Sequence, residues 1–300
     1  MILCCGEALI DMLPRESAGG EPAFAPYPGG AVFNTAIALG RLGVETAFFS
    51  GLSRDLFGEM LEDALAASHV DASLAVRSDR PTTLAFVKLV DGQARYAFYD
   101  ENTAGRMLVG DDLPDVPEAE ALFFGGISLV VDPCGAAYEA LLLREAGKRV
   151  TMIDPNIRPG FITDERAYRA RIERMLGAAD IVKISDEDMD WLGTDADEIL
   201  ANGAVLVCVT EGAKGVVGHW RGGSVRAEAE RVQVVDTVGA GDTFNAGLLA
   251  GLSRAGLLDK AALQTLDADK VKPALALGNR AAAVTVSRAG ANPPWLEELA

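Results

Sequence analysis

Two histidines and four cysteines are all that this 300-residue chain offers a soft metal, and neither set is arranged for one. Cys4, Cys5, Cys134 and Cys208 contain no C-x-x-C pair, and only His69 and His219 could join them, which argues against zinc and for reduced thiols. Positive charge is scarce as well. Against 44 Asp and Glu stand 27 Lys and Arg, a formal net charge of −17. Nucleic acids and anionic membranes recruit basic patches, so neither is an expected partner. The longest apolar run, "ALFFGGISLVV" (121–131), is too short to span a bilayer. The start, "MILCCGEALIDMLP", has no basic leader and meets acids at Glu7 and Asp11, so it reads as a first buried strand of a cytoplasmic protein.

Common site signatures are missing too. There is no G-x-x-x-x-G-K-[ST], because Gly147-Lys148 is followed by Arg149 and precedes a strand. Gly239-x-Gly241 has Phe244 where a dinucleotide turn needs its third glycine. Gly126-Ile127-Ser128 has Val130 where a nucleophile elbow needs glycine. Classical dehydrogenase and serine hydrolase both lose ground.

What is present is a 49% hydrophobic chain with a regular rhythm, enough for two ordinary domains or one large α/β domain with an appendage. Buried strands are expected at 2–7, 45–50, 121–125, 149–153, 180–184 and 205–209. Helical patterns lie near 31–43, 55–68, 135–147, 164–177 and 187–201, with alanine-rich helices at 240–255 and 270–287. This alternation predicts a mostly parallel sheet sandwiched by helices. Residues 72–99 break the rhythm: "SLAVRS" and "TTLAFVKLVDGQARYAFY" read as extended runs around an Asp91-Gly92 turn. With "EPAFAPYP" (21–28) they suggest a small separate sheet, a lid or an edge hairpin.

The stretch "DTVGAGDTF" (236–244) stands where a helix should open. Small residues at Gly239, Ala240 and Gly241 let N–H groups approach an anion at the positive helix end. Asp242 is either a helix cap or a base beside a bound phosphoryl group. The helix terminus should keep it ionised. A second glycine pair, Gly29-Gly30, opens the helix carrying Asn34, and Asp11 follows the first strand. Asp, Asn and backbone N–H groups together suit a hydroxyl-rich ligand such as a sugar, although each alone could be a cap or turn residue.

"PGGAVFNTAIALGRLG" followed by "GLSRDLFGEML", together with "DTVGAGDTFNAGLLAGL", resembles the paired signatures of the ribokinase-like (PfkB) carbohydrate kinases, over essentially the whole chain. The resemblance implies a single ribokinase-like domain over 1–300, with lid segments at about 12–28 and 72–100. It implies Asp242 as general base, Gly239, Ala240 and Gly241 as the anion turn, and Arg158 as a charge stabiliser. Sugar contacts would come from Asp11, Gly29, Gly30, Asn34 and the lid aromatics Tyr96 and Phe98. "VTEGAKG" and "GNRAAAVTVSRAGA" resemble nucleotide-binding segments, carried over as Thr210, Gly212, Gly215 and Asn279. In "VKISDEDMDWL" the family often shows Asn-x-x-Glu, where this chain has Ser185-x-x-Asp188. Lys183 would touch the nucleotide there, Asp188 would act on Mg2+ through water, and Asp236 matches a position that helps hold K+ in some members.

Implied partners are a sugar, ATP and a second subunit through the lid. "GEALIDMLP", "FYDENTAGRML" and "DPNIRPGFI" look most like bacterial fructokinases. The acids Asp100 and Glu101 after Tyr99 argue against the sugar acid of 2-keto-3-deoxygluconate kinase, the runner-up ahead of ribokinase. A sugar-binding regulator without catalysis is the alternative of a different class, and the intact base and glycine turn count against it.

Overall fold

In the computed structural model, residues 1–90, 93–116 and 118–299 are described, those at 88–90 and 93–96 by their backbone alone. The Asp91-Gly92 turn and the Tyr96 side chain lie outside the described residues. A nine-stranded sheet runs in the order Gly223–Ala227, Val216–Trp220, Leu206–Thr210, Ile181–Ser185, Val150–Asp154, Ala121–Gly125, Ile2–Cys5, Thr46–Phe49, Val70–Asp71. It is parallel from Leu206–Thr210 to Val70–Asp71, and antiparallel only where the first two strands join.

The period of two in a strand explains how one short run feeds two cores. Ile2 and Cys4 pack among residues of helices Ala31–Arg41, Ala240–Arg254 and Ala268–Val286. Leu3 and Cys5 face the opposite layer, with helices Cys134–Glu145 and Glu165–Ala178. All four are fully buried, as strands covered on both faces require. The sheet sandwiched by helices is therefore as expected. The helix expected at 187–201 is two, Asp186–Leu192 and Ala196–Ala201, because Gly193 ends the first in a left-handed conformation and Asp195 caps the second.

A four-stranded sheet stands apart, in the order Pro22–Gly29, Leu9–Glu16, Thr83–Val90, Gln93–Tyr99. "SLAVRS" does not join it: Val76–Ser78 pairs in parallel with Gly51–Ser53 in a sheet of its own. Leu9–Glu16 begins the small sheet three residues earlier than the lid segment expected from about 12. It pairs antiparallel with Pro22–Gly29 and parallel with Thr83–Val90, so the first core strand runs almost directly into the small sheet. Alternation puts Leu9, Asp11 and Leu13 on one face and Met12 and Pro14 on the other.

Candidate active site

A cavity of about 290 Å³ opens at the carboxyl ends of the central strands, where open α/β sheets bind ligands. Leu9, Asp11 and Phe98 of the small sheet form one wall, and Gly30 and Asn34 of the helix Ala31–Arg41 another. Lys183, Asn156, Arg158 and the turn Thr237–Asp242 complete it. Residues expected to act together but distant in sequence are thus gathered around one space.

Asp242 lies in the first turn of the helix Ala240–Arg254 and is 7% exposed. Asn34 Nδ2 donates to its Oδ2 at 2.9 Å, and Thr35 Oγ1 donates to its main-chain oxygen at 3.2 Å. These two bonds stitch the glycine-led helix starts together. The expectation that the helix terminus would keep Asp242 ionised needs correction. Burial pushes its carboxyl up to about 7, and Asp154 adds to the rise. The Asn34 bond and the charges of Lys183 and Arg158 only partly oppose this. Desolvation outweighs the partial charge of the helix end, and the carboxyl is poised to exchange a proton near neutrality.

The turn before Asp242 carries no cap. Gly239 sits at φ 76, and no side chain bonds the helix start. Ala240 N–H reaches Thr237 O at 3.3 Å and Thr243 N–H reaches Gly239 O at 2.8 Å. Gly241 and Asp242 N–H have no protein acceptor among the described residues. Lys183 lies immediately behind: a Cβ on Gly241 would stand 3.3 Å from its Nζ.

Three residues of the site escaped the motif reading. Glu7 is buried at the end of the first strand; its Oε1 accepts Ala31 N–H at 2.9 Å and its Oε2 accepts Ser128 N–H at 3.3 Å. Burial raises its carboxyl above the usual range. Asp154 and Asn245 lie beneath the turn, with Asp154 Oδ2 accepting from Lys183 Nζ at 2.9 Å and from Asn245 Nδ2 at 2.7 Å. Glu7 and Asp154 could have been found by the rule that singled out Asp11, an acid at the carboxyl end of a strand. Asn245 lies three residues after Asp242, on the same side of the helix.

The other expected residues are placed as follows. Asp11 projects into the cavity from the small sheet against Gly29, and burial lifts its carboxyl to about 6. Phe98 lines the cavity with its ring centroid 4.8 Å from that of Phe161. Arg158 is exposed at the mouth. Thr210, Gly212, Gly215 and Asn279 do not line this cavity; they lie around the end of the sheet where Leu206–Thr210 meets Val216–Trp220. Asn279 uses its amide N–H groups on Ala227 O and Glu228 O, both at 2.9 Å, so it braces a wall.

Asp188 is buried, its Oδ2 accepting Ile157 N–H at 3.2 Å, and burial raises its carboxyl. Asp236 accepts Val238 N–H and Gly290 N–H, tying the turn to the loop after the last long helix. Among the described residues no group of three His, Cys, Asp or Glu side chains could hold a metal.

The argument from acids beside the sugar does not survive. Asp100 is buried away from the cavity, accepting from Thr83 Oγ1 at 3.1 Å, with Arg106 at 3.6 Å. Glu101 is exposed and does not line the cavity either.

The pattern of the pfkB family carbohydrate kinases matches residues 1–298. The chain belongs to that family. A fructokinase from Rhizobium leguminosarum bv. trifolii is 58% identical over 274 residues, 89% of this chain and 84% of the relative. The fructokinase of Xylella fastidiosa, solved with bound ATP, superposes with a TM-score of 0.91 at 31% identity, covering 99% of this chain and 96% of that one. The fructokinase of Vibrio cholerae O395, solved with fructose, ADP and calcium, gives a TM-score of 0.83 at 26% identity, over 97% and 94% of the two chains. As a pfkB carbohydrate kinase, the protein is an ATP-dependent enzyme that phosphorylates a sugar. No helix among the described residues is long and apolar enough to cross a membrane.

Proposed function

We propose that this pfkB kinase is a cytoplasmic fructokinase that transfers the γ-phosphoryl group of ATP to a primary hydroxyl of fructose. The observation that carries the reading is Asp242, buried and held by Asn34 at a helix start where Gly241 and Asp242 N–H have no acceptor among the described residues. The fructokinases of Rhizobium and Xylella support the sugar and the nucleotide.

In this reading Asp11 and Asn34 hold sugar hydroxyls and orient the acceptor toward Asp242. The acceptor oxygen attacks the γ-phosphorus while its proton passes to Asp242. The bond from phosphorus to the bridging oxygen breaks, and ADP leaves with the electron pair. The turn Gly239, Ala240 and Gly241 faces the equatorial oxygens, where charge concentrates, and its open N–H groups, those of Gly241 and Asp242, meet them. The nucleotide runs from this turn toward Thr210, Gly212, Gly215 and Asn279.

Mg2+ fits as a passenger on the phosphates, because it keeps most of its waters and asks for one or two carboxylates at most. Asp188 is the residue to reach it through water, its second oxygen having no bond among the described residues. When bound, the ion neutralises phosphate charge. K+ at Asp236 would stiffen the join between the turn and Gly290. The small sheet, from about 12–28 and 72–100, is read as a lid over the sugar within a single domain. Phe24 and Tyr99 are 49% and 63% exposed on its outer face, flanking Phe86, and this apolar strip supports a dimer through the lid.

Arg158 at the mouth favours one second reading, a kinase of 2-keto-3-deoxygluconate, whose carboxylate it could meet. Rates with fructose, 2-keto-3-deoxygluconate, ribose and adenosine decide. Fructose should give the highest kcat/KM; preference for the keto-deoxy acid would overturn the sugar and leave the kinase.

A further inference from the structure

Lys183, Asp154 and Asn245 form a buried polar group that neither binds the sugar nor accepts its proton. They are 5%, 2% and 1% exposed. An ammonium buried without a partner is strongly disfavoured, and a carboxylate likewise. Here each answers the other: Lys183 Nζ lies 2.9 Å from Asp154 Oδ2. The same oxygen accepts from Asn245 Nδ2 at 2.7 Å, which leaves the carboxylate one orientation.

Two facts show that this is more than a closed structural pair. Asp154 is the only hydrogen-bond partner of Lys183 among the described residues, so two of its three N–H groups are free. Lys183 also lines the cavity, behind Gly241 at the uncapped helix start. A buried cation with free donors, aimed at a turn with free N–H groups, is an anion-binding arrangement made by two separate elements.

We propose that Asp154, oriented by Asn245, is a positioning residue that keeps the Lys183 ammonium charged and fixed beneath Gly241, where it stabilises the phosphoryl group during transfer. The proposal rests on the phosphoryl-transfer reading above and extends it to residues that never touch the sugar. Arg158 is exposed at the mouth; Lys183 is buried and held by Asp154, so its charge needs no reorganisation as the reaction proceeds. The groups facing Lys183 are Asp154 from its neighbouring strand, Cys208 from the strand on its other side, Asp242 and Asp188 from two helix starts, and Arg158 beyond. Only Asp154 bonds it.

The test compares Asp154→Asn and Lys183→Gln with the wild type, using whichever sugar the wild type phosphorylates, so a wrong sugar does not touch the outcome. Lys183→Gln should lower kcat on the order of 10²-fold, as loss of a transition-state donor does, with KM for the sugar nearly unchanged. By calorimetry it should weaken ATP and leave AMP unaffected. In Asp154→Asn the ammonium keeps its burial and loses its counter-charge, so it deprotonates more easily. The basic limb of the pH–rate profile should therefore move to lower pH, which a merely structural loss would not cause.

An unmoved basic limb in a folded Asp154→Asn protein overturns the positioning role. If that variant does not fold, Lys183→Gln decides alone. Unchanged kcat, or equal weakening of ATP and AMP, then overturns the proposal. A wild type that phosphorylates no sugar at all would overturn the kinase reading first, and the ATP-against-AMP comparison would still judge the lysine.

Discussion

Two helices begin at the cavity, and the chain treats their first turns in opposite ways. The helix Ala31–Arg41 has no cap of its own at Gly30, but Glu7 reaches across from the first strand to accept Ala31 N–H. The helix Ala240–Arg254 receives nothing comparable. Elsewhere Asp55, Asp164, Ser185, Asp195, Asp259 and Asp267 each cap the helix they precede with a side-chain oxygen. The helix Cys134–Glu145, after Pro133, also lacks a side-chain cap at that residue, but there Asp132 accepts Ala136 N–H at 3.2 Å. At the cavity, one start is closed by a side chain; the other leaves Gly241 and Asp242 N–H without an acceptor among the described residues, as an anion site would need.

The largest blow to this contrast should come from Asp242→Asn, which preserves the shape of the open start and removes the carboxylate proposed as the base. Turnover should fall by about 10²- to 10⁴-fold while ATP and sugar still bind. The stability sign is opposite. The folded carboxyl titrates at about 7, above its unfolded value, so the wild type loses stability as pH rises from the unfolded pKa to about 7. Melting at pH 8 should show the variant no less stable than the wild type, and its relative advantage should disappear by pH 4. In the wild type kcat/KM should rise with pH through about 7; a flat profile there would detach the base from this carboxyl.

Next in size is Gly239→Ala, which bends the open start without altering a charge. Alanine is strained at φ 76, and its Cβ would lie 2.7 Å from that of Ala291. A displaced turn should lower kcat by about 10²-fold, since small misplacements at a reacting centre weigh that much. Wild-type turnover would mean that the turn holds no transferring group.

Glu7→Gln tests the closed start. The amide presents a donor to Ser128 N–H where the carboxylate accepted, so stability should drop by about 1–3 kcal/mol. Turnover should suffer less than in Gly239→Ala, and chemical denaturation alongside kinetics separates the two. Smallest is Asp267→Ala, which removes an ordinary cap from the helix Ala268–Val286. It should cost about 1 kcal/mol and leave kcat untouched.

Fully buried parallel strands were easy to read, because runs such as "ILCC" and "ALFFG" are apolar on both faces and have few other homes. The small sheet was half legible. "LIDMLPRE" hides its alternation behind Pro14 and an acid, so Leu9–Glu16 merges by eye with the strand before it. The late hairpin Val216–Trp220 with Gly223–Ala227 carries mixed polar residues and escaped notice. In the site, glycine turns and their neighbours stood out, since few other residues allow such backbone. Lys183 was noticed only through a motif, and its partners Asp154 and Asn245 not at all. Their pairing spans 29 and 91 residues of chain, which no local pattern encodes.

The junction at Gly6–Ala8, between a core strand and the first strand of the small sheet, has a consequence for fidelity. Asp11 belongs to the small sheet, while Asp242 and Asn34 belong to helices of the core. In the proposed mechanism the acceptor is gripped from one side and deprotonated from the other, so only a molecule broad enough to bridge both parts would assemble the reactive arrangement. A lone water at Asp242 would leave Asp11 unengaged. Idle hydrolysis of ATP would thereby be discouraged by size, across a junction only three residues long between its strands.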